Sequence, residues 1–400
     1  MLLSIALIVL LSLTLSQLFI KLRLPGLIAL LLTGIILGPY VLDLIVPELL
    51  TLSMDLRQIA LIVILLRAGL TLDIKDLRRV GRPALLLSFV PATFELLAIT
   101  FLAPLFFDIT YLEAAIMGTV LAAVSPAVVV PRMIKLIEAN RGRAKSIPQM
   151  IMAGASVDDI YVIVLFTAFL QMYQSGSFSA LSLVMLPITV ISGVLLGVGS
   201  GLLSIWFFKV VHLRDTIKVI IIFSLSFLFI VFEEWLSPYF AISGLIAVMS
   251  LGATILKKYE ILAKRLVGKF EKIWVLAEIM LFVLVGAAVD ISVVGSIGLK
   301  AVALILLALL VRMVGVIVAL IKTDLTYKEK LFVAFSYLPK ATVQAAIGLI
   351  PLSLGLASGH LILTAAVLAI MITAPLGAIL IDATAHKWLK VEPSQKETTV

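Results

Sequence analysis

The chain alternates between long apolar stretches and short polar connections. Apolar runs of about 17–25 residues are long enough to cross a bilayer as helices. Thirteen occur, at 2–20, 27–46, 56–72, 83–107, 111–137, 147–173, 180–209, 215–235, 238–256, 268–290, 296–322, 329–355 and 358–386. Several exceed a straight crossing, which predicts tilt or a break. The pattern implies an all-α polytopic membrane protein of about 13 transmembrane helices.

Composition agrees. The 400 residues are 62% hydrophobic and 14% charged, with mean hydropathy +1.24, whereas soluble chains are about half apolar and about a quarter charged. There is no cysteine, so disulfides, thiolate metal sites and cysteine nucleophiles are excluded. The formal charge of +8 raises the question of nucleic acid, but the placement of the basic residues answers it. Of 31 Lys and Arg, 26 cluster around the odd-numbered connections and the C-terminal tail. The opposite connections hold Arg57 and Lys300, and Arg67, Arg312 and Lys340 fall inside spans. By the positive-inside rule the N-terminus is outside and the C-terminus cytoplasmic, as expected for a multi-pass protein of the plasma (inner) membrane. The charge thus reflects orientation, and no nucleic-acid partner is expected. Met1-Leu-Leu-Ser lacks the basic region of a cleavable signal, so the first helix is expected to be retained.

Two spans carry breaks. The fifth reads Val120-Leu-Ala-Ala-Val-Ser-Pro-Ala-Val-Val-Val-Pro131, with Pro126 and Pro131 at mid-depth. The twelfth reads Ser336-Tyr-Leu-Pro-Lys-Ala-Thr-Val-Gln344, with Pro339 and Lys340 at mid-depth. Proline removes a helical hydrogen bond and clashes with the preceding turn. Non-helical backbone at that depth survives only inside protein or beside water. A simple kink is one reading of each. An odd offset of seven spans makes the halves inverted repeats, and paired interrupted helices in such halves point to a transport site.

The chemistry concentrates at the same depth. Asp158 and Asp159 sit side by side in the sixth span, Met150-Ile-Met-Ala-Gly-Ala-Ser-Val-Asp-Asp-Ile160. An ionised group at the bilayer centre costs about 2.5–3.5 kcal/mol or more, so the pair needs water, a cation, a proton or a basic partner. At about 1.5 Å per residue, Asp158 lies about 17 Å from the cytoplasmic start of its span. Glu95, Ser125, Arg312 and Lys340 fall at matching depth in four other spans. Adjacent positions point about 100° apart, so the two aspartates cannot both face one point. Hard cations favour carboxylate, hydroxyl and carbonyl oxygens, and a proton competes for the same carboxylates. Ser156, one turn before Asp159, and Ser125 with the carbonyls freed at its break could complete such a shell. Two aspartates sharing a proton, or paired structurally, is the plainer alternative. A guanidinium keeps its proton, so Arg312 needs a permanent partner, and Glu95 is expected to form a structural ion pair with it. Lys340 at the break is expected to offset the negative end of a half-helix, with direct proton carriage as the other reading.

Other charges are plainer. Arg67 can snorkel to the cytoplasmic end of its span, and Glu233 and Glu234 fall at the outer end of theirs. Glu278 lies within the tenth span without an evident role. His212, His360 and His386 lie at span ends, so a histidine metal site or Ser–His hydrolase is poorly supported.

Ala123-Val-Ser-Pro-Ala-Val-Val-Val-Pro131, Gly154-Ala-Ser-Val-Asp-Asp159 and Leu338-Pro-Lys-Ala-Thr-Val-Gln344 together resemble the monovalent cation:proton antiporters. Within that superfamily the chain is similar to the Asp-Asp branch, near bacterial relatives of the animal sodium/hydrogen exchanger-like domain-containing proteins. Leu27-Ile-Ala-Leu-Leu-Leu-Thr-Gly-Ile-Ile-Leu-Gly38 and Leu65-Leu-Arg-Ala-Gly-Leu-Thr-Leu-Asp73 fit too, so the likeness covers nearly the whole chain. The resemblance implies the thirteen-helix inverted-repeat antiporter fold and a homodimer in which a six-helix core moves against a dimerisation scaffold. By analogy the scaffold would take 1–80 and 215–290, the core 82–174 and 296–389, a linker helix 180–210, and a short cytoplasmic tail 390–400. No cofactor and no nucleotide-binding regulatory domain are expected.

The resemblance also implies roles. Asp159 matches the principal cation-binding carboxylate and Asp158 its partner. Arg312 stands where many bacterial members carry Lys, and Glu95 is the acid that accompanies Arg. Pro126, Pro131, Pro339, Lys340 and Gln344 belong to the helix breaks and their dipole compensation. The family's Thr-Asp before the proline of the fifth span is here Val124-Ser125. Without a titratable lysine at position 312, one way of coupling a second proton is lost, which points towards electroneutral exchange. The implied activity is secondary Na⁺ or Li⁺ exchange for H⁺ by elevator-type alternating access. A K⁺/H⁺ exchanger or K⁺ efflux system of the same fold is the near rival. A channel would need a continuous pore, and an intramembrane aspartyl protease would need acids on two facing helices.

Overall fold

The computed structural model describes residues 1–22, 24–71, 80–174, 180–236, 240 and 242–391, with backbone only at 180–187. Among these residues helix occurs in each of the thirteen apolar stretches. Besides a short helix at Pro47–Thr51, the elements are α1 (Leu2–Lys21), α2 (Gly26–Leu37), α3 (Ser53–Thr71), α4 (Arg82–Phe106), α5 (Tyr111–Glu138), α6 (Ile147–Gln174) and α7 (Ala180–Val210). They continue with α8 (Asp215–Leu236), α9 (Gly244–Lys258), α10 (Glu260–Ala287), α11 (Ile291–Ala319), α12 (Tyr327–Ser336 and Thr342–Ser353) and α13 (Gly359–Trp388). Among the described residues, eight helices are long and apolar enough by themselves to cross a membrane. The others, α2, α3, α9, α10 and α12, are shorter, broken or more charged.

Local chemistry sets the departures from the apolar pattern. The stretch 27–46 is helical only to Leu37, because Pro39 forces the residue before it out of the helical region, and Gly38 is extended at φ −70°, ψ 172°. The stretch 268–290 begins early, at Glu260, since Lys264 and Arg265 are good helix formers outside the apolar window. α4 carries a turn at Ser88–Phe89, just before Pro91, which the apolar run at 83–107 does not reveal. The expected tail 390–400 lies outside the described residues beyond Val391. Before that point Gly142 N–H donates to Lys390 O at 3.0 Å, and the Arg141 guanidinium binds the His386 and Leu389 carbonyls that end α13.

α5 and α12 repeat one design. Each opens on a capping box, Thr110 with Glu113 and Thr326 with Glu329, which satisfies orphan N–H groups where each helix starts. Each then breaks midway, giving α5a (Tyr111–Ala122) with α5b (Pro126–Glu138), and α12a (Tyr327–Ser336) with α12b (Thr342–Ile347). Pro126 is the first residue of α5b, where its missing N–H costs nothing. Pro131 lies inside α5b, and Pro339 sits between α12a and α12b.

By packing the chain forms two units. The first comprises Met1–Pro47, Ile74–Phe166 and Phe282–Val400. In it α4 lies along α11 and α5a, and α13 packs on α11 and α12a. Its apolar core gathers Leu87, Val129, Met133, Ile151, Phe332, Tyr337 and Ile381. α2 meets the end of α10 at glycines, since a Cβ on Gly34 would strike Val283 O and one on Gly286 would strike Leu31 O. Small residues allow such backbone approach in membranes. The second unit comprises Glu48–Asp73 and Thr167–Leu281, with α9 packed against α3, α7 and α8. Both broken helices, Glu95, Asp158, Asp159, Arg312 and Lys340 belong to the first.

Candidate functional site

Two helix breaks at mid-depth expose backbone groups that have no helical partner, and the site is built from what satisfies them. At the end of α5a, the Ala122 carbonyl accepts from the guanidinium Nη1 of Arg312 and from Lys340 Nζ at 3.3 Å. Gln344 Nε2 donates to Ala123 O at 2.8 Å and to Leu121 O at 3.4 Å. Val124 N–H donates to Asp158 Oδ2 at 2.8 Å, and Ser125 N–H to Pro339 O at 2.8 Å. On the α12 side, Lys340 N–H donates to Thr373 Oγ1 and Ala341 N–H to Gln344 Oε1, each at 2.8 Å. Those two N–H groups would otherwise close the last turn of α12a. Diverting Ala341 N–H leaves Tyr337 O free to accept Arg312 Nε–H at 2.7 Å. The two breaks are thus pinned to each other by side chains.

The charges sit inside this frame. Arg312 is fully buried, and its Nη1 pairs with Glu95 Oε2 at 2.7 Å. Lys340 Nζ reaches the same oxygen at 2.6 Å. Arg312 Nη2 stands 3.3 Å from Asp158 Oδ2. Lys340 therefore does more than meet the end of a half-helix: it shares Glu95 with Arg312. Four buried charges from α4, α6, α11 and the α12 break form one connected cluster, with no water-exposed member.

The two aspartates divide as their 100° separation requires. Asp158 is buried and tied to Val124 and Arg312. Asp159 is only half-buried, and its Oδ1 has no hydrogen-bond partner among the described residues. It lies within electrostatic reach of Asp158, Arg312 and Lys340. With every group ionised, three carboxylates face two cations, so the cluster holds one negative charge in excess. Among the described residues of this cluster, Asp159 is the acid left without a partner.

The remaining oxygens separate into two kinds. Ser125 Oγ and Thr342 Oγ1, both buried at the breaks, have no partner among the described residues. Ser156 Oγ is bonded back to Met152 O at 2.9 Å within its own helix, the usual fate of a mid-helix serine. Thr342, Thr373 and Tyr337 carry no charge or proline signature and escape a search for ionisable residues. Tyr337 was findable only as an aromatic two residues before a mid-membrane proline.

Charges elsewhere have local explanations. In the second unit the Arg67 guanidinium lies over the Trp274 ring at 5.7 Å from its centroid, and Glu233 Oε2 accepts Gly244 N–H at 2.7 Å at the start of α9.

The transmembrane sodium/hydrogen exchanger family model matches residues 5–387. The chain is 34% identical over 365 residues to sodium/hydrogen exchanger 9B2 of Mus musculus, covering 87% of this chain and 65% of that protein. It is 33% identical over 368 residues to the 9B2 protein of Homo sapiens, covering 87% and 66%, so it spans about two thirds of the length of these relatives. The solved sodium proton antiporter MjNhaP1 from Methanocaldococcus jannaschii at pH 8 superposes with a TM-score of 0.80 at 22% identity, covering 96% of this chain and 97% of that one. The chain has the fold of that structure.

Proposed function

The chain belongs to the transmembrane sodium/hydrogen exchanger family, and on that premise we propose that it exchanges a monovalent cation, Na⁺ or Li⁺, for a proton at a single midplane site. The observation that carries the reading is the Asp159 carboxylate, unpartnered among the described residues, beside four paired charges that cancel, so that the site as a whole holds one negative charge in excess. One proton or one monovalent cation on Asp159 makes the site neutral. A buried net charge is expensive in a bilayer, so the loaded core crosses and the empty one does not. Exchange follows from that difference, with direction set by the gradients.

Roles follow from the bonding. Asp159 carries the ion or the proton, and Asp158 orients the α5 break through Val124 N–H while Arg312 neutralises it. Ser125 Oγ and the carbonyls of the break supply neutral oxygens of the kind hard cations take. Glu95, Arg312 and Lys340 hold the two breaks together. The core moves in an elevator fashion against a scaffold in a plasma-membrane homodimer, with the N-terminus outside. These last features rest on family likeness and on the distribution of basic residues.

The test is reconstitution into proteoliposomes with an internal pH dye. Na⁺ or Li⁺ added outside should drive proton movement in wild type and not in Asp159→Asn. Wild-type exchange in that variant would sink the assignment. Titration with K⁺ separates a K⁺/H⁺ exchanger of the same fold.

A further inference from the structure

Tyr337 is absent from the roles above, although it touches the centre of the cluster. It is fully buried at the end of α12a, and its hydroxyl has no hydrogen-bond partner among the described residues. Its carbonyl takes Arg312 Nε–H at 2.7 Å, and its ring lies 5.6 Å from the guanidinium carbon. The same residue therefore grips Arg312 from two directions, along one edge and across one face. Its hydroxyl rests against α6 at Gly154, where an added Cβ would collide with it. Gly154 lies one helical turn before Asp158, so the ring spans the gap between the arginine and the helix that carries both aspartates.

We propose that Tyr337 is a positioning residue of the exchange site: it holds the Arg312 guanidinium on Glu95 and Asp158, and so keeps it off Asp159. The inference rests on the exchange reading above. Arg312 has its Nη1 on Glu95 and its Nη2 on Asp158, and Asp159 is the next residue along. A guanidinium free to rotate about its long stem has a third carboxylate, Asp159, within its electrostatic reach. A permanent cation on Asp159 would compete directly with the transported one. The aromatic face and the fixed carbonyl remove that freedom: a planar guanidinium stacks on a ring and hydrogen-bonds at its edge at once. The glycine at 154 provides the space in which the ring can lie.

The experiment compares Tyr337→Leu, Tyr337→Phe and Gly154→Ala in proteoliposomes, reading the half-saturating Na⁺ concentration separately from the maximal rate. If Arg312 occupies Asp159 for most of the time in Tyr337→Leu, apparent affinity falls in proportion, about tenfold for nine-tenths occupancy. Gly154→Ala should shift half-saturation in the same direction by displacing the ring. Tyr337→Phe keeps ring and carbonyl and should restore half-saturation to near the wild-type value. A loss of maximal rate with unchanged half-saturation in both Tyr337→Leu and Gly154→Ala overturns the inference, since packing alone then explains the residue. So does a Tyr337→Phe variant as impaired as Tyr337→Leu, which would assign the effect to the hydroxyl. If Tyr337→Leu and Gly154→Ala both fail to fold while Tyr337→Phe folds, Tyr337 serves packing and the inference is overturned. Wild-type vesicles without cation-driven proton flux would defeat the exchange reading itself, whereas active wild type with unmoved variants defeats only this inference.

Discussion

Arg312 and Lys340, from α11 and the α12 break, meet on one carboxylate oxygen, Glu95 Oε2, at 2.7 and 2.6 Å. Two buried cations that close together need that anion. Its removal leaves both uncompensated except for Asp158. Glu95→Gln should therefore destabilise the protein by about 3–5 kcal/mol, the cost of breaking a buried ion pair from one side. Thermal unfolding in detergent reads this as a lowered Tm, and an unchanged Tm would show that the cluster does not depend on Glu95.

Neighbouring aspartates should respond differently to the same change. Asp158 binds Val124 N–H and Arg312, so Asp158→Asn should lower stability by about 3 kcal/mol as well as impair exchange. Asp159 Oδ1 has no hydrogen-bond partner among the described residues, so Asp159→Asn should change stability by less than about 1 kcal/mol. Paired measurements of Tm and cation-driven proton flux on both variants separate the two roles. Equal losses of Tm would contradict the division.

Gln344 joins the breaks by three hydrogen bonds, two to α5 carbonyls and one from Ala341 N–H. Gln344→Leu keeps the volume and leaves buried backbone groups unpaired, each costing about 1–3 kcal/mol. The expected result is a clearly lower Tm together with slowed exchange. A variant with wild-type Tm would mean that water or neighbouring groups replace those bonds.

One excess negative charge at the site implies one proton exchanged for one monovalent cation. Transport should then ignore membrane potential. A net charge moved per cycle would instead feel about 2.3 kcal/mol per 100 mV. The check is exchange rate in proteoliposomes held at zero and at imposed potentials with a potassium ionophore. Acceleration by potential would exclude one-for-one exchange.

Much of the fold was legible because membranes impose simple rules on sequence. Apolar length locates the helices, and Pro126 and Pro339 mark where helices must stop. Departures came from local chemistry that hydropathy averages away, as at Gly38-Pro39, where α2 ends while the apolar run continues. Depth along a helix can be counted residue by residue, so Glu95, Asp158, Arg312 and Lys340 could be set at one level before any contact was known. Counting cannot show which groups touch. Ser156 illustrates this: its depth suits the site, yet its hydroxyl is bonded within its own helix.

By itself the sequence determined that this is an all-helical membrane protein with two mid-depth breaks and five ionisable groups at one level, because burial in lipid restricts length, charge and proline along each segment. Only the tertiary structure decided that Asp158 is held and Asp159 left unpaired among the described residues, that Lys340 joins Arg312 on Glu95, and that Tyr337 grips the guanidinium. Those outcomes depend on how each helix is rotated about its axis and where the freed backbone groups find partners, and both are set by packing between segments far apart in the chain.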